Sequence, residues 1–212
     1  MASRRFDELT NPEIEAALAR RPLAIIPLGS IEQHGSHLPT GTDTFAALAI
    51  AEGVAERLDG LVVLGLPLGV TPIHMGFPGT ISLSAATFEA VLYEAVGALA
   101  GHGVRQVAFV NWHEGNIPSI GSVASRLTQA HDLDVVVAHA CYVAEELFAP
   151  TLGGLTHGGG IEAAAIVGWR AELAKLDRAQ GEAAAVAQEL DQRLAFLANL
   201  RRARRGPADP PG

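Results

Sequence analysis

Cysteine is all but missing: Cys141 stands alone, so no internal disulfide can form and nothing covalent equips the chain for an oxidising compartment. Long apolar runs are missing as well. No stretch approaches the ~20 uninterrupted apolar residues of a membrane span, and residues 1–8 carry Arg4 and Arg5 with no apolar run behind them. The expectation is a cytoplasmic protein with no membrane partner. Positive charge is scarce beside negative, 15 Lys and Arg against 23 Asp and Glu, and the formal net charge of -8 argues against a nucleic-acid backbone as partner. Charged residues make up only 18%, whereas 49% are hydrophobic, a balance that excludes disordered and fibrous classes. What remains is a compact chain of 212 residues, within the reach of one core. One domain is expected over residues 1–205, with a frayed Pro/Gly-rich tail over 206–212.

What is present is an alternation. Apolar runs of strand length, Leu23–Leu28, 61–64, 107–110 and 135–138, are separated by segments rich in Ala, Leu and Glu over 44–58, 87–102 and 117–131. The runs read as parallel strands buried on both faces, and the segments between them as helices. Thr87 is the expected N-cap of the second helix, and Asp59-Gly60 the turn into the second strand. Strand, helix, strand, helix implies an α/β fold with a mostly parallel sheet flanked by helices on both faces, and ligands at the C-terminal strand ends. Two more helices are expected, over 161–169 and 183–200. The second carries Val186, Leu190, Leu194, Leu197 and Leu200 as an apolar stripe, which serves either packing or a subunit contact, and Arg201 to Arg205 close it.

Three polar islands follow the strands. The first contains Glu32, His34, His37 and Asp43; Glu32 and His34 are two apart, so an extended segment points both the same way, and the Gly/Pro-rich turn brings Asp43 back. Carboxylates with imidazoles suit zinc, manganese or iron, and no thiolate marks a closed structural site. The second island is Asn111-Trp112-His113-Glu114-Gly115-Asn116, at the end of the third strand. The third is Thr156-His157-Gly158-Gly159-Gly160-Ile161-Glu162. Each alone fits a capped turn; three such islands after strands point to chemistry, because loops carry function more often than cores do. A phosphoesterase would be expected to add Lys or Arg, and the islands contain neither. A non-catalytic scaffold would be expected to lack ligands, and none of the ligand types is missing.

The run Pro27-Leu28-Gly29-Ser30-Ile31-Glu32-Gln33-His34-Gly35-Ser36-His37-Leu38-Pro39 with Thr42-Asp43 resembles the opening motif of the creatininase (creatinine amidohydrolase) family. Gly76-Phe77-Pro78-Gly79-Thr80-Ile81-Ser82-Leu83 and the two later islands resemble further motifs of that family, in the same order. The resemblance implies a three-layer α/β sandwich, a homo-oligomer with a hexamer among its sizes, and two divalent ions, zinc first, that activate water to hydrolyse a small-molecule amide. It makes Glu32, His34, Asp43 and His113 metal ligands, with Asp43 the bridge and Glu162 the fifth ligand. Creatinine-cleaving members carry a ligand carboxylate where this chain has Gly115; others lack it and keep the glutamate that Glu162 matches. Through the same resemblance His157 is the candidate for proton transfer. Glu114, where the family commonly has glycine, is a general base, a substrate contact or a solvated carboxylate. His74 and Trp112 are candidates for the substrate pocket, and His37 for orienting a ligand from behind. His102, His131 and His139 are expected to be structural. A cyclic amide, a formamide and a short peptide trimmed during cofactor maturation are the candidate substrates.

Overall fold

Six consecutive buried residues, Leu23–Leu28, form β1, and their alternation dictates the layers. Successive side chains of a strand point to opposite faces. Ala24, Ile26 and Leu28 enter one apolar cluster, and Leu23 and Ile25 enter another. The computed structural model describes residues 3–64, 66–181, 184 and 186. Beside β1 lie β2 (Leu61–Val62), β3 (Gln106–Asn111) and β4 (Asp134–His139), all parallel, in the order β2-β1-β3-β4.

Helices α1 (Asn11–Arg20), α3 (Ala85–Gly101) and α4 (Ile117–His131) cover one face with Leu18, Phe88, Leu92, Ile120 and Leu127. Helices α2 (Thr42–Leu58), α5 (Ala140–Leu152) and α6 (Gly160–Arg170) cover the other, mostly with alanines. This is the three-layer α/β sandwich expected from the alternation. Among the described residues no helix is long and apolar enough to cross a membrane. Register then decides where chemistry gathers. Leu28 lies opposite Asn111, and Asn111 opposite His139, so β1, β3 and β4 end level and their loops open on one rim.

Several boundaries differ from the sequence reading. The second strand stops at Val62: Val63 still donates to the Ile25 carbonyl, but Leu64 is exposed and lies outside the strand. Helix α3 starts at Ala85, and its N-cap is Ser84, whose side chain accepts the Thr87 N–H; Thr87 stands three residues inside. Strand β4 is not buried on both faces, because it is an edge with a neighbour on one side only, and Val136 is 62% exposed. Helices α1 and α5 were not anticipated, although Thr10 and Glu13 form a capping box at the start of α1. The expected helix over 183–200 lies outside the described residues apart from Ala184 and Val186, as do its leucine stripe, the Arg201 to Arg205 cluster and the tail over 206–212.

Candidate active site

Glu32 and His34 leave β1 in an extended loop, and both side chains turn inward to 2% and 1% exposure. The Glu32 N–H is pinned by the Thr40 carbonyl at 2.9 Å, so the loop doubles back and delivers Asp43 in the first turn of α2. Gly29 makes that approach feasible, since a Cβ there would overlap the backbone of Asp43 and Thr44. His113 sits two residues beyond β3, and Glu162 in the first turn of α6. Asn116 ties the loops together: its side chain donates to the Gly29 carbonyl at 2.9 Å and to the Asn111 side chain at 3.3 Å, and accepts the Val70 N–H at 2.9 Å.

Asp43 is the centre of the arrangement. Its Oδ1 lies 3.1 Å from His34 Nε2, and its Oδ2 lies 3.0 Å from His113 Nδ1 and accepts from the Ser30 hydroxyl at 2.8 Å. Glu162 Oε2 is 3.6 Å from His34 Nε2, and Glu32 Oε1 is 3.5 Å from His113 Nδ1. The far nitrogens are occupied elsewhere: His34 Nδ1 donates to the Glu32 carbonyl at 3.0 Å, and His113 Nε2 to the Val70 carbonyl at 3.1 Å. Each imidazole therefore presents one chosen nitrogen to the carboxylates, the arrangement in which an outer hydrogen bond fixes a ligand ring.

Buried carboxylates without a basic side chain demand cations. Burial opposes the charge of His34, yet its hydrogen bonds with Asp43 and Glu162 win and push its pKa up to about 11. Burial likewise opposes His113, which Asp43 raises; Asp43, against its own burial, is held below the ordinary carboxylate range by both histidines. Protons hold together a donor set that divalent cations would suit better. Among the described residues Glu32 Oε2 is buried with no hydrogen-bond partner, a lone-pair oxygen left free to bind a cation. Two O/N sets, Glu32–Asp43–His113 and His34–Asp43–Glu162, have ligand atoms close enough for one ion each, and a third combines Glu32, His34 and His157. The residues fit a pair of divalent ions.

His157 and its neighbours border this cluster. Its Nδ1 is 3.5 Å from Glu32 Oε1, its Nε2 meets the Gln33 carbonyl, and its ring stacks on His74 with centroids 4.2 Å apart. Burial, then the charge of His34, lowers the His157 pKa. His74 in turn accepts from the Gln33 side chain at 3.1 Å. Glu32, Asp43, His74, Trp112, His113, Glu114, His157 and Glu162 all line one cavity of about 400 Å³, while His34 lies behind it. Trp112 is both wall and core, only 4% exposed.

Among the described residues His37 makes no hydrogen bond to a proposed ligand side chain. It donates to the Gly158 carbonyl at 3.0 Å, and the Gly158 N–H donates to Glu162 at 2.6 Å, so His37 acts on Glu162 through the loop. Glu114 lies outside the three donor sets and accepts from the Tyr142 hydroxyl at 2.8 Å. His139 adjoins the site's support, 3.4 Å from the Asn111 side chain that also holds the His113 carbonyl; His131 is remote, against Tyr93. Sequence reasoning missed Gln33, Ser30, Asn111 and Asn116 as positioning residues although all four lie inside the quoted motifs. Tyr142 had no signal at all, because only the packing of α5 brings it beside Glu114. At Gly115 a Cβ would collide with the Val70 carbonyl and His113 Nε2, so this backbone has no place for a side chain there.

Comparison with known proteins shows what the chain is similar to. The chain is 38% identical to a mycofactocin precursor peptide peptidase of Mycolicibacterium smegmatis over 112 residues, 50% of this chain and 45% of that protein. Thus it spans under half the length of that relative. It is 30% identical to a creatinine amidohydrolase of Pseudomonas putida over 191 residues, 81% of this chain and 74% of the relative. The solved structure of a mutant creatininase of Zn-Zn type superposes with a TM-score of 0.72 at 30% identity, covering 84% of this chain and 77% of that one. The family model for creatininase, described as creatinine amidohydrolase, matches residues 7–206. On the fold, the strand-end donor cluster and these matches together, the chain belongs to the creatininase family.

Proposed function

We propose that the protein is a metal-dependent amidohydrolase that cleaves a carbon–nitrogen bond in a small amide. The observation that carries this reading is Asp43, which offers one oxygen to each of two nitrogen–carboxylate sets. In this reading Glu32, Asp43 and His113 hold one divalent ion, and His34, Asp43 and Glu162 hold the other, zinc first and manganese or iron next. Bound there, the ions would supply a water of pKa ~7 and polarisation of the scissile carbonyl.

The remaining work falls to the chain's own groups. His157 is placed to carry a proton to the departing nitrogen, its ring held by the Gln33 carbonyl on one side and stacked on His74 on the other. Trp112 and His74 wall the space beside it. Creatinine is disfavoured as substrate, since the position at which creatinine-cleaving members carry a ligand carboxylate is Gly115, where no side chain fits. A formamide or a short peptide suits the site better, and the peptidase name of the M. smegmatis relative supports the peptide. We further propose a homo-oligomer, supported by the exposed Val136, Val143, Leu147 and Phe148 along β4 and α5, in a cytoplasmic setting.

A panel of formamides, lactams and short peptides, scored by released amine, tests the reaction. With any substrate the panel yields, His157→Ala should keep its metal while kcat falls by about 10²–10⁴-fold, the range for losing a general acid or base. Loss of metal in that variant would transfer His157 to the ligand set.

A further inference from the structure

Among the described residues lining the cavity there is no Lys or Arg, and three of the four carboxylates among them face histidine nitrogens. The fourth does not. Among the described residues Glu114 hydrogen-bonds only with the hydroxyl of Tyr142, a neutral donor that orients the carboxylate without cancelling its charge. That bond raises the Tyr142 pKa, so the phenol stays a donor, and its ring stands edge-on to His139 with centroids 6.0 Å apart. The backbone beneath is equally constrained. Glu114 opens a short 3-10 turn whose next residue, Gly115, lies close under the Val70 carbonyl, which fixes the backbone that presents the carboxylate. Pro72, Ile73 and Leu155 also line the cavity and give it apolar side chains.

We propose that Glu114, oriented by Tyr142, selects amide substrates that carry a cationic group, an ammonium or guanidinium on an apolar stem. This rests on the reading of the cavity as an amidohydrolase site and adds its substrate class. An alkyl stem lies along the apolar wall while its cation reaches the one carboxylate not engaged by a histidine. A substrate ending in an anion meets repulsion at the same place.

The test uses the zinc-loaded protein and pairs of short peptide amides that differ only in lysine against norleucine. The expected ratio of kcat/KM favours the cationic member by about tenfold, a single charge-assisted contact discounted for exposure. Glu114→Gln should bring that ratio close to one, and Tyr142→Phe should lower it by roughly threefold, the loss of one orienting hydrogen bond. A wild-type ratio near one overturns the proposal, as does an equal loss on both members in Glu114→Gln, which would make Glu114 a general base. Should neither member be turned over, the hydrolase reading is judged by the wider panel of formamides, lactams and peptides, and the cation site by binding. In that case n-butylammonium should raise the melting temperature of the wild type more than that of Glu114→Gln, with n-butanol as control; equal shifts overturn the proposal.

Discussion

The two helical layers differ in what they are made of and in what they carry. The α1/α3/α4 layer is filled by large side chains, Phe88, Leu92, Ile120 and Leu127 among them, and contributes none of the five proposed ligands. The α2/α5/α6 layer is filled largely by Ala46, Ala47, Ala51, Ala55, Ala140 and Ala144, and two of its helices carry Asp43 and Glu162 in their first turns. Small residues let those helices lie close to the sheet, so their first turns reach the rim where β1 and β3 deliver Glu32, His34 and His113. Bulk on one side supplies apolar burial; thinness on the other supplies placement.

The comparison can be broken by separating stability from metal affinity. Phe88→Ala in the bulky layer should cost about 3–5 kcal/mol in denaturant unfolding, the usual range for a fully buried phenylalanine, yet leave the metal affinity of the folded protein unchanged. Ala47→Leu in the thin layer, one turn beyond Asp43, should cost only about 1–3 kcal/mol by overpacking. Even so, it should weaken metal binding, by about tenfold, the scale of disturbing a ligand's support. Chelator competition on the two variants checks both statements, and equal effects on affinity would dissolve the distinction.

The dependence on pH adds a second handle. The metal-free His34 pKa is raised from 6.5 to about 11, so its contribution to metal-free stability is whole below 6.5 and fades as pH rises through about 11. Asp43, lowered from 3.8, contributes above 3.8 and loses that contribution as pH falls through its depressed value. A metal taking the place of the His34 proton must release it. Apparent metal affinity should therefore rise by at least about tenfold per pH unit between pH 7 and 9, one proton per site being the minimum. A flat profile in chelator competition would mean that His34 is no ligand.

Much of this was legible in the residues. The run Leu23–Leu28 and the segment Ile117–His131 announce strand and helix by composition and period, and both have those boundaries in the structure. The Glu32–His34 spacing and the glycine-rich turn before Asp43 announce a convergence that the fold makes, with His34 Nε2 3.1 Å from Asp43 Oδ1. What escaped was set by tertiary neighbours. The edge position of β4, the pairing of Tyr142 with Glu114 and the route from His37 through Gly158 to Glu162 depend on which elements lie side by side, and no local pattern encodes that. Ser84 was legible and overlooked, because Thr87 is the same kind of cap three residues later.

The central claim is that Asp43 serves two ions at once, and elemental analysis of the purified wild type beside Asp43→Ala tests it most directly. The wild type should hold close to two divalent ions per chain, and Asp43→Ala, folded by circular dichroism, should lose both together, since each donor set shares that side chain. A variant that keeps the wild-type metal content, or sheds one ion and retains the other at full affinity, would contradict the account.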